Sequence, residues 1–240
     1  MSVQQKDIST CSAVSNGIYI GKKWLKRKKR AKKINKTLKK LFPRVRMNLI
    51  YSNNWELLVS VMLSAQCTDK KVNEVTILLF KKYKTLNDYA RAPQKQFEQD
   101  IRQTGFFRTK AKHIIAAARA ILTRHAGRVP RAMKDLIALP GAARKTANVV
   151  LGNAYGIVEG IAVDTHVRRF ARKFDLTDSS DPKKIEQDLM FLFPKKDWFS
   201  LTYRFIEYGR QICKARKHNC LKHPLTKIYK TAAKKWPKAK

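Results

Sequence analysis

The sequence predicts an all-α protein of about ten helices joined by short connections. Three observations support this fold class. Apolar residues recur at helical spacing in several segments after residue 50, while runs that alternate apolar and polar residues are few. The 240 residues include only nine glycines, which leaves little turn material for a sheet protein. A hydrophobic content of 44% indicates a folded body with a substantial core.

Helix-start signals place four of these helices along the chain. We expect NWELLVSVMLSAQ to begin behind an N-cap at Asn54, and DKKVNEVTILLFKKY behind one at Asp69. The segment TKAKHIIAAARAILTRH is expected to be helical over 109–125, where a glycine soon follows. The segment DPKKIEQDLMFLF has an N-cap at Asp181 and a proline at the first helical position, Pro182.

The chain carries a large excess of positive charge. Lys and Arg number 53 against 17 Asp and Glu, a formal net charge of +36. Such an excess favours a polyanionic partner, most often nucleic acid. We expect no membrane partner, because no apolar run approaches the roughly 18 residues of a span. We expect no secretory signal, because the first twenty residues contain Asp7 and no apolar h-region. The four cysteines do not indicate a disulfide scaffold. The expected location is the cytoplasm or nucleoid of a bacterium, or the nucleus of a eukaryote.

We expect residues 1–33 to form a flexible basic N-terminal arm. Within it, residues 22–33, KKWLKRKKRAKK, hold nine cations in twelve positions. A run of this kind can be a solvated charged segment, a localisation signal or an arm that lies on the DNA backbone. The net charge of the chain favours contact with DNA.

The segment LIALPGAARKTANVV is typical of two helices joined by a tight turn. Pro140 ends the first helix, and Gly141 permits a backbone conformation that other residues resist. The second helix is expected to begin near 143–144. Its first N–H groups have no partner inside the helix and can bind a phosphate. Such a hairpin grips a DNA strand without reading its bases.

Lys145 is expected near the start of this second helix, which the sequence predicts to be buried because the six residues after the lysine, TANVVL, carry no charge. The positive end of the helix dipole and the cationic chain both favour loss of its proton, which would make the amine a nucleophile. A lysine that simply binds phosphate is the alternative. Nineteen residues on, Asp164 follows an apolar triplet and opens a basic helix, where it can be an N-cap or a catalytic carboxylate.

The motifs LPG..RKTANVV and AVDTH resemble the helix–hairpin–helix DNA glycosylases, specifically the endonuclease III branch. The resemblance extends through LLVSVMLSAQCTDKKVN, TGFFRTKAKHI and EYGRQICKARKHNC, and covers roughly residues 35–223. It implies two helical domains with a DNA-binding cleft between them, here 46–157, and 34–45 together with 158–240. It also implies a bifunctional glycosylase and abasic-site lyase that excises oxidised pyrimidines from double-stranded DNA and then nicks the strand at the abasic site. We expect a monomer.

The resemblance assigns roles to individual residues of this sequence. Lys145 is the implied nucleophile and Asp164 its carboxylate partner. Gln66 and Phe106 occupy the two positions whose side chains fill the duplex when a base is flipped, although Phe106 replaces an aliphatic residue and could instead belong to the core. DNA contacts are expected from the hairpin residues Leu139, Gly141, Ala143 and Arg144. Asp69, which could equally be a helix cap, and His166 are expected to support the pocket.

Two departures from the family pattern are visible. Ala143 replaces the second glycine of the hairpin, a costly change if that position needs a positive φ. The family's iron–sulfur cluster uses four cysteines, of which Cys213 and Cys220 remain, while His223 and Tyr229 occupy the other two positions. We therefore expect no [4Fe–4S] cluster.

Zinc on Cys213, Cys220 and His223, with His218 as a further candidate ligand, is a minor alternative to the absence of metal. We expect an amphipathic helix over 224–236 to pack where the cluster would lie. Its apolar residues fall on one helical face.

Two other functions fit parts of the sequence. A monofunctional adenine-mismatch glycosylase of the same superfamily usually lacks the lysine at position 145 and carries a glutamate where Ser60 stands. A basic DNA-binding protein on a degenerate glycosylase fold would not need both Lys145 and Asp164. Both residues of that pair are present, which favours the bifunctional enzyme.

Overall fold

The computed structural model describes residues 11–15 and 18–236. Over these residues it contains twelve α-helices and one short antiparallel hairpin of strands β1 (Cys11–Ser15) and β2 (Ile18–Gly21). The helices are α1 (Lys22–Leu41), α2 (Asn54–Leu63), α3 (Asp69–Lys82), α4 (Leu86–Arg91), α5 (Gln94–Asp100), α6 (Phe107–Arg124), α7 (Met133–Ile137), α8 (Arg144–Tyr155), α9 (Thr165–Lys173), α10 (Pro182–Leu192), α11 (Trp198–Gln211) and α12 (Pro224–Ile228). The all-α prediction is confirmed, and the hairpin is an addition that the sequence did not indicate.

The chain divides into two compact units. Unit 2 is the continuous stretch 46–162, and unit 1 combines 1–45 with 163–240. The sequence-based division placed the second boundary five residues earlier, at 157. This boundary lies in the connection between α8 and α9, where the chain leaves one core and enters the other.

Unit 2 is built around α2, whose residues are buried without interruption over 57–63. This stretch has no exposed polar stripe, and α8, α3 and α6 all pack against the helix. Helix α8 is likewise buried throughout 146–151. The start of α8, where the predicted nucleophile lies, is therefore anchored by a rigid core.

Unit 1 has an aromatic core between α9 and α11. The ring centroids of Phe170 and Phe205 lie 5.5 Å apart in a stacked arrangement, and the ring of Phe174 also stacks with that of Phe170, at 5.8 Å. The Tyr208 ring meets Phe170 edge-on at 5.2 Å. Aromatic pairs in these geometries add to the free energy gained from burial.

The expectation of a flexible arm over 1–33 is wrong for 22–33, because this segment belongs to α1; residues 1–10 and 16–17 of the expected arm lie outside the described residues. Arg27 lies on the buried stripe of that helix and is only 1% exposed. Its guanidinium binds the carboxylates of Asp175 at 3.0 Å and Asp178 at 2.8 Å. The hydrogen bonds that Asp178 accepts from Arg27 and Lys23 lower its pKa to about 2. Arg30 donates to the carbonyl of Phe174 at 2.8 Å. Basic side chains that the sequence suggested to be solvated therefore bind α1 to the segment 174–178.

The expected helix over 224–236 is also wrong in extent. Helix α12 ends at Ile228, and a 3₁₀ turn follows over Lys230–Lys234. Leu225 and Ala232 are fully buried, so the segment still packs on unit 1 although its helix is broken. In the part of the chain with described coordinates, every helix is too short or too polar to span a bilayer.

Predicted helix boundaries differ from the structure by one or two residues at three N-termini. Asn53 rather than Asn54 caps α2, and Thr68 rather than Asp69 caps α3. Helix α6 begins at Phe107, two residues before the expected start. The prediction for α10 is confirmed, since Asp181 accepts from the N–H of Lys183 and a proline occupies the first helical position.

Candidate active site

The predicted hairpin consists of α7, a turn and α8. Gly141 has a φ of +78°, and a Cβ at this position would lie 2.7 Å from the Cβ of His113 and 2.8 Å from the Cε of Met62. Only glycine satisfies both the conformation and the space. Leu139 is buried and anchors the turn, while Gly141 itself is exposed. The turn is therefore fixed against α2 and α6 in unit 2.

Ala143, which replaces the second glycine of the family's hairpin, has no backbone strain. Its φ of −83° and ψ of 170° are extended values that any residue adopts. As the N-cap of α8 it offers no side-chain acceptor to the first turn of the helix. No side chain at the N-cap position therefore competes with an external acceptor for the start of this twelve-residue helix.

Lys145 is the second residue of α8 and is exposed, whereas the sequence suggested a buried amine. The buried face of the helix begins only at Thr146. Arg144 beside it is half-buried. The helix thus presents Lys145 at its positive end with the amine accessible to a reactant.

Asp164 is the N-cap of α9 in unit 1. Its Oδ1 accepts a hydrogen bond from the N–H of Val167 at 2.8 Å, and the residue is half-buried. The second carboxylate oxygen is not used by this cap. His166 packs against α11, because a Cβ added at Gly209 would lie 2.2 Å from its Nδ1. The glycine therefore makes room for the imidazole.

Gln66 and Phe106 lie in two short connections of unit 2, and both have left-handed backbones. The φ of Gln66 is +54° and that of Phe106 is +49°. Phe106 is 63% exposed, so it is not a core aromatic. Non-glycine residues in this conformation are rare, because the backbone is strained and the surrounding structure must offset the strain. Where they occur, they cluster at functional sites. Asp69 is half-buried at the first position of α3.

Sequence reasoning missed a buried lysine in the same region. Lys110 of α6 is 7% exposed, and its Nζ donates to the carbonyls of Leu63 and Thr104, each at 2.8 Å. Burial lowers the pKa of this amine. The available signal was its place on the apolar stripe of α6, four residues before Ile114 and eleven before Ile121.

The C-terminal cysteines lie in a buried, cationic setting. Cys213 is 0% and Cys220 1% exposed. Burial raises the pKa of the Cys213 thiol, while Lys173 and Arg169, both buried, act in the opposite direction. Tyr229, at the fourth family position, has its ring covered by the guanidinium of Arg30 at 4.0 Å.

These residues do not fit a [4Fe–4S] cluster. Such a cluster needs four thiolates, and the region supplies two. One potential ligand atom each from Cys213, His218 and His223 lies within 4.8 Å of the others, and burial lowers the pKa of His223. These ligand types suit zinc, but Cys220 does not complete the group.

Comparisons with known proteins place the chain in a family. Residues 59–195 match the model of the HhH-GPD superfamily base excision DNA repair proteins. The chain is 47% identical to endonuclease III of Synechocystis sp. over 83% of its own length and 91% of the relative's. It is 42% identical to endonuclease III of Bacillus subtilis, over 81% and 89% of the two chains.

Solved structures agree with this placement. The chain superposes on endonuclease III in a non-covalent DNA complex with a TM-score of 0.82 at 39% identity, covering 86% of this chain and 97% of that one. The same scores relate it to endonuclease III in a trapped covalent DNA intermediate. A thermostable thymine-DNA glycosylase, at 23% identity and a TM-score of 0.73, shares the fold. The chain therefore belongs to the endonuclease III family of HhH-GPD base excision repair proteins and is a DNA glycosylase.

Proposed function

We propose that this protein is a bifunctional DNA glycosylase and abasic-site lyase with Lys145 as its nucleophile. The observation that carries the proposal is the exposed amine at the uncapped, positive end of α8, directly after the hairpin turn. The deprotonated amine attacks C1′ of a flipped nucleotide, and the bond from C1′ to the base breaks as the base leaves. The lysine nitrogen and the ring oxygen O4′ are then both bonded to C1′. The C1′–O4′ bond breaks, O4′ takes up a proton as the sugar ring opens, and a protonated imine between Lys145 and C1′ forms, which acidifies C2′. Loss of a C2′ proton then expels the 3′ phosphate and breaks the strand.

Asp164 stabilises the positive charge that develops on the sugar as the base departs. Its Oδ1 is held by the N–H of Val167, which fixes the carboxylate at the start of α9. His166 supports this end of α9 through its contact with Gly209.

The proposed substrates are oxidised pyrimidines and abasic sites in double-stranded DNA. Gln66 and Phe106 fill the gap left by the flipped nucleotide, which their exposed, left-handed positions permit. An aromatic ring stacked on the orphaned base contributes about 1–3 kcal/mol in related single-strand complexes. Leu139, Gly141, Ala143 and Arg144 hold the strand through the turn and the first N–H groups of α8. The enzyme acts as a monomer.

Helix α1 adds contact with the DNA backbone. Six exposed lysines follow one face of this helix at spacings of three and four residues: Lys22, Lys26, Lys29, Lys33, Lys36 and Lys40. The helix contains no acidic residue, so the repulsion along this stripe is not offset within it. A row of phosphates would offset it.

Borohydride trapping tests the proposed reaction. Wild-type protein incubated with an abasic duplex and borohydride is expected to form a covalent adduct, because reduction converts the imine into a stable amine. Lys145→Ala should give no adduct and no excision while it still binds DNA. The matched control is Lys134→Ala, which removes an exposed lysine from the first helix of the hairpin. A trapped adduct in a pure preparation of Lys145→Ala would refute the assignment.

The same assay separates the alternatives. A monofunctional glycosylase would release base without trapping, and a binding protein would do neither. Ser60, which stands where the adenine-mismatch enzymes carry glutamate, is fully buried and donates to the carbonyl of Ile50 at 3.3 Å. This hydroxyl occupies a structural position and gives no support to the monofunctional alternative.

A further inference from the structure

Lys110 links two segments of unit 2 that are distant in sequence. Its Nζ donates to the carbonyl of Leu63, the last residue of α2, and to the carbonyl of Thr104, each at 2.8 Å. Leu63 lies 47 residues before Lys110 in the chain. Leu63 and Thr104 are both nearly inaccessible to solvent, with exposures of 0% and 1%. The amine therefore bridges two backbone segments inside the unit.

Each bridged carbonyl lies just before one of the two left-handed residues. Gln66 follows Leu63 by three residues, and Phe106 follows Thr104 by two. The remaining described non-glycine residues with a positive φ, Ala126 and Asp175, lie outside these connections. The backbone N–H of Lys110 donates to the carbonyl of Phe106 at 3.0 Å as a hydrogen bond of the first turn of α6, so Phe106 is the N-cap of the helix that carries the lysine.

A buried lysine is a costly way to satisfy two carbonyls. Burial disfavours its charged form and lowers its pKa, and the long side chain loses rotamer entropy. The carbonyls at the end of a helix can usually be satisfied by water, a C-cap or a 3₁₀ turn. The particular effect of the lysine is to tie the two connections to each other at a fixed spacing.

We propose that Lys110 is a positioning residue that sets the separation of Gln66 and Phe106, so that both side chains enter the duplex together. This inference rests on the proposed function, in which those two residues fill the space of the flipped nucleotide. Without the bridge, each strained connection relaxes independently toward a more common backbone conformation. A displacement of about 1 Å at a positioned group can reduce a rate on the order of a hundredfold.

The test compares Lys110→Met with Lys112→Met. Methionine keeps the length and the apolar stem of lysine but removes both donors. Lys112 is exposed on the same helix, so its substitution controls for the loss of one charge. Each variant is assayed for excision from a damaged duplex and for nicking of a single-stranded abasic oligonucleotide. The single strand has no stacked duplex to open, so the two wedge residues are dispensable there.

We expect Lys110→Met to lose duplex excision on the order of tenfold or more, with single-strand nicking within about twofold of wild type. Lys112→Met should change both rates equally. A general loss of folding would lower both rates, so the ratio of duplex to single-strand activity separates positioning from stability. An unchanged ratio for Lys110→Met would overturn the inference.

A mutant cycle tests whether Lys110 acts through the two wedge residues. In the double variant Gln66→Ala/Phe106→Ala, adding Lys110→Met should cause little further loss, because the groups it positions are gone. Equal losses in both backgrounds would contradict the inference. If Lys110→Met does not fold, Lys110→Gln, which retains an amide donor, takes its place. If neither folds, Lys110 serves the fold alone and the inference is wrong.

Wild-type trapping on the abasic duplex separates this result from the proposed function. If wild type forms no adduct, the lyase proposal fails. If wild type forms the adduct and Lys110→Met retains the wild-type ratio, only the positioning role fails.

Discussion

The Nζ of Lys173 lies 3.7 Å from the centroid of the Trp236 ring. The same amine, which is 0% exposed, donates to the carbonyl of Lys235 at 2.8 Å. A desolvated ammonium over an indole face is among the stronger cation–π arrangements. The edge of the Trp236 ring also meets His218, with centroids 5.0 Å apart. Protein contacts thus hold the C-terminal segment beside the two remaining cysteines.

We predict that the purified protein is colourless and binds neither iron nor zinc stoichiometrically. Two thiolates cannot hold a four-iron cluster, and the buried cations Arg169 and Lys173 oppose a further positive ion near Cys213. Elemental analysis and the visible absorption spectrum check this. Excision activity should survive treatment with a chelator. Stoichiometric iron with brown absorbance, or one zinc per chain, would contradict the prediction.

Trp236→Ala should destabilise the protein by about 2 kcal/mol, because it removes a half-buried ring and leaves the Lys173 amine without its aromatic face. Urea unfolding gives the measurement. Trp236→Phe, which keeps an aromatic ring, is the control and should recover most of the difference. Equal losses for Ala and Phe would show that the ring face is not what stabilises the segment.

Asp164→Asn should separate the structural and chemical roles of this residue. Asparagine is as good an N-cap as aspartate, so the hydrogen bond from Val167 and the unfolding free energy should be retained. Excision should fall strongly, since the negative charge is lost. Asp164→Ala should in addition lose about 1 kcal/mol of stability. Equal excision rates for wild type and Asp164→Asn would reduce Asp164 to a helix cap.

The lysine stripe of α1 should contribute to the salt dependence of binding to undamaged DNA. If each lysine contacts one phosphate, replacing Lys22, Lys29 and Lys36 by glutamine makes the negative slope of log K against log salt shallower by about 2.7. The control replaces three exposed lysines of unit 2, Lys81, Lys84 and Lys95. Deletion of residues 1–33 is unsuitable, because it removes Arg27. The same slope for both triple variants would show that α1 has no special contact with DNA.

The two small residues of the hairpin should respond in opposite ways. Gly141→Ala should lower the free energy of unfolding by at least about 2 kcal/mol, since the new Cβ would combine a positive φ with contacts under 3 Å to His113 and Met62. Ala143→Gly should be close to neutral, because the backbone there is extended and glycine is an acceptable N-cap. Thermal unfolding and DNA binding of both variants check this. A large gain in binding from Ala143→Gly would indicate that the alanine side chain obstructs the phosphate.

The sequence was sufficient for features that depend on local patterns. Proline and aspartate at 181–182 define the start of α10, and the hairpin follows from a proline and glycine between two apolar runs. The helical class follows from periodicity. These signals are local, so they do not depend on how the segments pack.

The errors concern charged residues whose partners are distant in sequence. Arg27 is indistinguishable from its solvated neighbours until Asp175 and Asp178, about 150 residues away, meet it. The sequence suggested a buried amine at Lys145, whereas the structure buries Lys110 and Lys173. A lysine is buried where backbone carbonyls or an aromatic ring receive it, and local periodicity does not reveal them.

The discontinuity of unit 1 has a consequence for synthesis on the ribosome. Unit 2 is complete in sequence at residue 162, whereas α1 packs against α10, α11 and α12. At roughly 5–20 residues per second, the nascent chain needs about 4–15 s more to supply these partners. During this interval the first helix is a lysine-rich segment with its apolar stripe exposed. In a protein truncated before α10, the apolar stripe of α1 would stay exposed, because the helices that cover it would never be made.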